Sequence, residues 1–406
     1  MKAGASVRAL RFPEGFFPTE GFARPIDTLH ARVLVLDGAL RHALLVLEMT
    51  SIPGEEIDAL SAILKEETDA AHTFVLASHT FSAPHFMPDH ALKTEAEREK
   101  KRQLQALVYE AVRAAAREAA GNVAEVFLSL GTGECAVCTA RDVLTEAGWW
   151  IANCGKGPVD PVMTVLRMQA GSGRTAAVLV HYSVQSSVLD GSELREGGKA
   201  VSGDLAGRMA AELEEELGAP VLFLIGAAGD QAPREKAVGF VMENGVMRRT
   251  DMQDDAIALC GSQAHEMAEA ARRALAGAKP VEGETLSYAS CTVKVPAKKI
   301  ERDLKKLHPT RIPPYEANGE SEQTVELLRV GPLSLMGVKP ELNCVTAQAI
   351  CGGDPHVRVV TLWNGGAKYM ADADSYDRIT YESQNSPFGR GAAELLTQAA
   401  RELLRG

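Results

Sequence analysis

Apolar residues come in short, dense runs from the start of the chain. Ala31-Arg-Val-Leu-Val-Leu-Asp37 and His42-Ala-Leu-Leu-Val-Leu-Glu48, split by Gly38, have strand length and read as neighbouring strands that a hairpin can join. The period then changes. Ile57, Leu60, Ile63 and Leu64 recur at three and four residues, which predicts a helix with Ser51 and Pro53 near its start. Thr73 to Ser78 reads as a buried strand, and residues 93–120 as a long helix whose apolar stripe is Leu104, Leu107, Val108, Ala111, Val112 and Ala115. Strands are expected again at 125–130, 163–168, 176–182 and 221–225, with helices over 204–217 and 255–277. This alternation predicts an α/β protein with a central mixed sheet flanked by helices, covered on both faces. After about residue 284 the pattern becomes more β-rich and closes on a helix at 391–404. Residues 1–406 read as a single domain, with the loop "LHPTRIPPY" at 307–315 as the place where a C-terminal subregion, beginning near 284, would separate.

Composition narrows the classes. The chain has 406 residues, 46% hydrophobic and 24% charged, enough to bury a large core. Its formal charge of -11 opposes phosphate backbones and anionic lipid surfaces, so nucleic acid is an unsuitable partner and a small-molecule substrate suits it better. The N-terminal stretch is interrupted by Arg8 and Arg11 before a signal-length apolar run builds, and no later window offers eighteen uninterrupted apolar residues, so no stable membrane insertion is expected. Seven widely spaced cysteines suit a reducing compartment, and the expected location is cytoplasmic. Cys135 and Cys138 form one CxxC without a second pair, and read as ordinary strand residues.

Candidate chemistry gathers where strands give out, the place where α/β sheets collect ligands. "HTFSAPH" brings His79 and His85, with Asp89 and His90 following, and these are either metal ligands or caps for backbone groups. "IGAAGDQAP", with Gly229 and Asp230, is a glycine-rich turn able to aim backbone N–H groups at an oxyanion, although tight turns use glycine anyway. His181 and Gln185 share a face if 177–188 is extended throughout. No GxSxG elbow surrounds the serines beside them, so a serine-hydrolase triad is not supported. Glu341, in "VKPEL", is a ligand, a general base or a loop acid in water.

Taken together, these fragments resemble the neutral/alkaline ceramidase family of zinc amidohydrolases. "IDTLHARVLVLDG" is similar to the segment that leads into that family's paired strands, and "LASHTFSAPH" to its S-x-T-H-T-H-S-G/A-P loop. "GPVDPVMTVLRM", "SGDLAG", "IGAAGDQAP" and "WNGGAKYMADADSYDRITYE" resemble further family segments, in family order from about residue 26 to 390. The resemblance implies a zinc ion held by His79, Glu341 and Tyr369, with Arg141 contacting substrate; beside these, the glycine turn is expected to aim backbone N–H groups of Gly229 and its neighbours, next to Asp230, at substrate or an oxyanion. It also exposes departures. Gln185 stands where the second zinc histidine belongs, Phe81 at the second histidine of the loop, and Ala232 at a serine. His181 and His85 are the candidates to replace the missing imidazole. The family's C-terminal immunoglobulin-like domain is expected to be absent. The resulting expectation is a metal-dependent hydrolase of an amide or related acyl bond in a small soluble N-acyl compound. The alternative is a ligand-binding or regulatory protein that kept this fold and lost catalysis.

Overall fold

The computed structural model describes residues 1–406 except 153–154, 244–245, 282–284, 302, 304–305 and 314, and side chains outside 241–247. Eight long strands form the main sheet: β1 (Lys2–Ala9), β2 (His30–Asp37), β3 (Arg41–Leu47), β4 (His72–Ala77), β5 (Ala124–Glu134), β6 (Val162–Ala170), β7 (Thr175–Tyr182) and β8 (Val221–Ile225). They lie side by side in the order β8-β7-β6-β5-β1-β2-β3-β4, with Lys279–Pro280 as a further short strand on β5. The sheet is mixed. β2–β3 is the antiparallel pair expected around Gly38, while β3–β4 and β7–β8 are parallel. β2 is buried on both faces along nearly its whole length, which is why its sequence is almost continuously apolar instead of alternating.

One face carries four helices: α1 (Gly54–Thr68), α2 (Glu95–Gly121), α3 (Asp204–Leu217) and α4 (Asp255–Ala276). Leu60, Val108, Met209 and Met267 from these helices pack on Val33, Val75, Val180 and Phe223 of the sheet. α2 begins with a capping box, Thr94 accepting from the Glu97 N–H while Glu97 reaches back to the Thr94 N–H.

The second face is covered by the β-rich C-terminal region. Four strands, β9 (Leu286–Lys298), β10 (Ala317–Val330), β11 (Leu333–Val338) and β12 (Val357–Val360), form a second sheet in that order. Leu328, Leu335 and Val360 from it meet Leu34, Leu44, Phe74, Leu179 and Leu224 in one core. Helices α5 (Cys344–Cys351) and α8 (Ala392–Arg405) back its outer face through Ile350, Leu396 and Ala400. The subregion boundary suggested near residue 284 falls outside the described residues, and the flanking sheets share a core. Among the described residues no helix is long and apolar enough to cross a membrane.

Gly337 on β11 is a tight point between the sheets. A Cβ there would sit 2.4 Å from the buried Trp363 ring. Gly337→Ala is therefore expected to cost about 1–3 kcal/mol by overpacking, read as a shift of the urea midpoint at unchanged m-value.

Several motif residues tie the segment before β2 and the chain after β7 to the start of α3. Asp27 accepts from the Ser202 hydroxyl at 2.6 Å and the Gly203 N–H at 2.8 Å, and Arg208 donates to the same carboxylate at 2.8 Å. Asp204, with φ 50°, is buried and accepts from the Val188 and Leu189 N–H groups, fixing the chain just beyond Gln185.

Candidate active site

The carboxyl ends of the two parallel pairs open on the same side as the end of β11, and the polar loops meet there. β3 runs out into Glu48, Met49 and Thr50, and β4 into Ser78 and His79. His79 takes the left-handed conformation, φ 63°, which turns its ring back toward Thr50. Its Nδ1 lies 2.6 Å from the Thr50 carbonyl and its Nε2 lies 3.1 Å from Glu341 Oε2. Glu341 follows β11 in a two-residue strand, 341–342, that pairs in parallel with Tyr369–Met370, so Glu341 and Tyr369 are register partners. Both His79 and Glu341 are buried.

Gln185 joins this pair from the other half of the sheet. Its Nε2 donates to Glu341 Oε2 at 3.0 Å, and its Oε1 accepts from Arg141 at 2.9 Å. Arg141, also buried, turns its Nε to Glu382 Oε1 at 2.9 Å. The guanidinium lies over the rings of Tyr369 and Tyr381, 5.2 and 5.6 Å from their centroids, a cation–π arrangement. A continuous polar chain thus runs from Thr50 through His79, Glu341, Gln185 and Arg141 to Glu382.

Electrostatics follow from this chain. Burial alone would depress the His79 imidazolium, but the Glu341 carboxylate, its hydrogen bond and the Thr50 carbonyl outweigh burial and raise the pKa. Glu341 shows the converse: burial pushes its carboxyl up, while His79, Arg141 and the Gln185 amide bring it below the ordinary value. Burial and then the Glu341 charge lift Tyr369 well above the usual phenol range, against Arg141, so it stays un-ionised. Asp230 is pushed up to about 6, chiefly by burial, although Gln231 and the Cys344 N–H hold it down.

The sequence candidates separate into two groups. His79, Glu341, Tyr369, Arg141 and Gln185 come together. His181 and His85 do not join them. β7 stops at Tyr182, so Gln185 lies beyond the strand and the condition for a shared extended face is not met. The His181 Nε2 lies 2.8 Å from the Val359 carbonyl, and burial, followed by Arg358, lowers its pKa to about 3, leaving it a neutral donor to that carbonyl. His85 spends one ring nitrogen on Glu20 at 2.7 Å and the other on the Thr50 hydroxyl at 3.2 Å. It braces the residue whose carbonyl orients His79. Gly229 uses its N–H on the Leu342 carbonyl at 2.9 Å, so that group is not free for an oxyanion, which corrects the role expected of it. Asp230 accepts from the Cys344 N–H at 2.9 Å and pins the glycine turn to α5.

The chain as a whole has a known architecture. The whole chain matches the crystal structure of neutral ceramidase from Pseudomonas aeruginosa, with a TM-score of 0.74 at 14% identity over 74% of that chain. The chain has the neutral ceramidase fold. A ceramidase complexed with C2 matches the full chain equally well, TM-score 0.74 at 15% identity over 75% of its length. No protein-family model and no curated protein sequence matches. Identity this low carries the neutral ceramidase fold and leaves the activity to be argued from the site.

Two residues in the polar chain escaped the sequence reading. Thr50 acts through its backbone carbonyl, which leaves no mark in side-chain identity. Glu382 lies in the quoted "ITYE", but only its contact with Arg141, 241 positions away, reveals its part.

The donor set meets only part of what the zinc ion implied by the motif resemblance requires. The Thr50 carbonyl fixes the Nδ1–H tautomer of a neutral His79, leaving Nε2 as the lone-pair nitrogen. Two ligands on a tetrahedral zinc with bonds of about 2.0–2.1 Å stand roughly 3.3 Å apart, close to the observed 3.1 Å between His79 and Glu341. These two fit, with Tyr369 beside them. Gln185 does not, because Arg141 holds its oxygen and turns its NH2, which has no lone pair to give, toward Glu341. Among the described residues no group of three or more His, Cys, Asp or Glu side chains gathers to hold a metal.

Proposed function

We propose that the protein hydrolyses an amide or related acyl bond in a small soluble N-acyl compound, with zinc as its metal, in the cytoplasm. The observation that carries this reading is the His79–Glu341 pair, 3.1 Å apart with the histidine oriented from behind, at the strand ends of a neutral ceramidase fold. His79, Glu341 and Tyr369 would hold the metal, which when bound supplies a Lewis acid and a water of lowered pKa. The chain's own groups do the positioning. The Arg141 guanidinium offers donors to an acyl oxygen, and Glu382 together with the Tyr369 and Tyr381 rings keeps that guanidinium in place. Burial of His79, Glu341 and Arg141 keeps bulk water from competing.

One observation favours a second reading, a ligand-binding protein without catalysis. The Gln185 amide satisfies both Glu341 and Arg141, closing the polar chain where the resemblance calls for an imidazole. Metal analysis and hydrolysis of an N-acyl amino acid panel, in wild type and His79→Ala, separate the two. The hydrolase reading expects about one zinc per chain in wild type, loss of zinc in the variant, and turnover reduced by at least about a hundredfold. Equal turnover in both would falsify a role for this site. Absence of zinc and of turnover in wild type, after incubation with zinc, would replace the hydrolase by the binding protein.

A further inference from the structure

A cavity of about 380 Å³ lies at the C-terminal end of β9, within the ~300–1,000 Å³ typical of small-molecule sites. Its walls are apolar and aromatic. Pro313 and Ile379 contribute aliphatic surface, and Tyr315 and Tyr376 meet edge to face with centroids 6.3 Å apart. At its floor is Lys298, the last residue of β9, which is only 4% exposed.

Lys298 is the anomaly. An ammonium carries three donors, and Lys298 Nζ places one on the Gln384 carbonyl at 2.9 Å. Among the described residues no carboxylate pairs with it. The charged groups nearest in the lining, Asp377 and Arg390, are matched to each other at 2.8 Å. A buried cation without a counter-charge is costly unless something else supplies one. Burial alone lowers its pKa to about 8, so near neutral pH it is still mostly charged.

We propose that this cavity binds a small carboxylate with an apolar or aromatic body, its acid group on Lys298 and its body between Tyr315, Tyr376 and Ile379. The site is distinct from the His79 centre but adjoins it. Gln384, whose carbonyl holds Lys298, sits on the same short helix, α7 (Tyr381–Gln384, following α6 at Ala373–Arg378), as the Glu382 that holds Arg141. Binding of the acid would raise the Lys298 pKa, so affinity should be full near neutral pH and fall as pH rises through about 8 and the free ammonium deprotonates. Tyr376, lifted well above the usual phenol range by burial, stays neutral through that interval.

Calorimetry with octanoate, 4-phenylbutyrate and octanamide tests the assignment in wild type, Lys298→Met, Tyr315→Ala and His79→Ala. Wild type is expected to bind octanoate about tenfold or more tightly than octanamide near neutral pH. That preference should vanish in Lys298→Met, persist in His79→Ala, and shrink at about pH 9.5. Tyr315→Ala, at the half-exposed rim, should weaken 4-phenylbutyrate several-fold and covers the case in which Lys298→Met fails to fold. Equal binding of acid and amide, no binding of either acid at millimolar concentration, or octanoate binding lost in His79→Ala but kept in Lys298→Met would each overturn the proposal.

Discussion

Arg32→Met is expected to lower the unfolding free energy by about 3–5 kcal/mol, the usual consequence of leaving a buried charge without its partner. Arg32 lies in the middle of the main sheet on β2 and is 2% exposed. It donates to Glu48, and to both oxygens of Glu214 on α3 at 2.7 and 3.0 Å. Glu48 is equally buried and also accepts from the His30 N–H at 2.9 Å. Nor can the carboxylate move away. Gly203 and Gly207 pack directly on it, and a Cβ at Gly207 would come within 2.7 Å of its oxygen. Methionine keeps the apolar contacts but strands Glu48 and Glu214.

The pH dependence has a definite sign. Burial raises the Glu48 carboxyl, but Arg32 and His30 outweigh it and the folded-state pKa is lowered. Its stabilising contribution is therefore present above the unfolded value of about 4.3 and is lost as pH falls through the folded pKa. In Arg32→Met the same carboxyl keeps its burial and loses its main partner, so its pKa should rise. The gap between wild type and variant should accordingly be widest near neutral pH and narrow on acidification. Denaturant titrations at several pH values read this directly. A variant within about 1 kcal/mol of wild type at neutral pH would mean that the desolvation of three charges had already cancelled their attraction. The site would feel the change, because Glu48 is two residues before the Thr50 that orients His79.

What the sequence made legible was local. The apolar run of β4 ending in a polar loop placed His79 at a strand end, and the three-and-four spacing of α2 located that helix to within two residues. The run Leu333–Val338 followed by Glu341 likewise put a carboxylate just beyond a strand. Long-range closure was not legible. Whether Gln185 or His181 faced Glu341 turned on where β7 ends, and an apolar pattern that continues through Val184 and Val188 gives no sign that the strand stops at Tyr182. The covering of the second sheet face by β9–β12 was hidden in the same way, since residues 327 and 328 face different cores and both are apolar. Motif order, which samples distant parts of the chain together, was the one sequence feature that carried tertiary information.

Gln185→His is the second large expected effect, and it acts on the metal instead of the fold. Gln185 already presents a nitrogen 3.0 Å from Glu341 Oε2, so an imidazole on the same backbone would face His79 and Glu341 with a lone pair where the amide has only N–H groups. The change restores the imidazole that the ceramidase resemblance calls for. Since outer-shell partners alone shift metal affinity by about 10–100-fold, a new inner ligand should tighten zinc binding by at least that much. Arg141 would lose one acceptor but keep Glu382 and the two tyrosine rings, so it should hold its place. Competition titration with a chelating dye gives the affinity, and the N-acyl panel gives the rate. Tighter zinc with faster turnover would identify Gln185 as the element limiting an active hydrolase. Tighter zinc with no turnover would point to a scaffold that has lost more than one ligand, and to the binding protein. Unchanged zinc affinity would show that Gln185 lies outside the metal position, and with it the correspondence drawn from the motifs would fall.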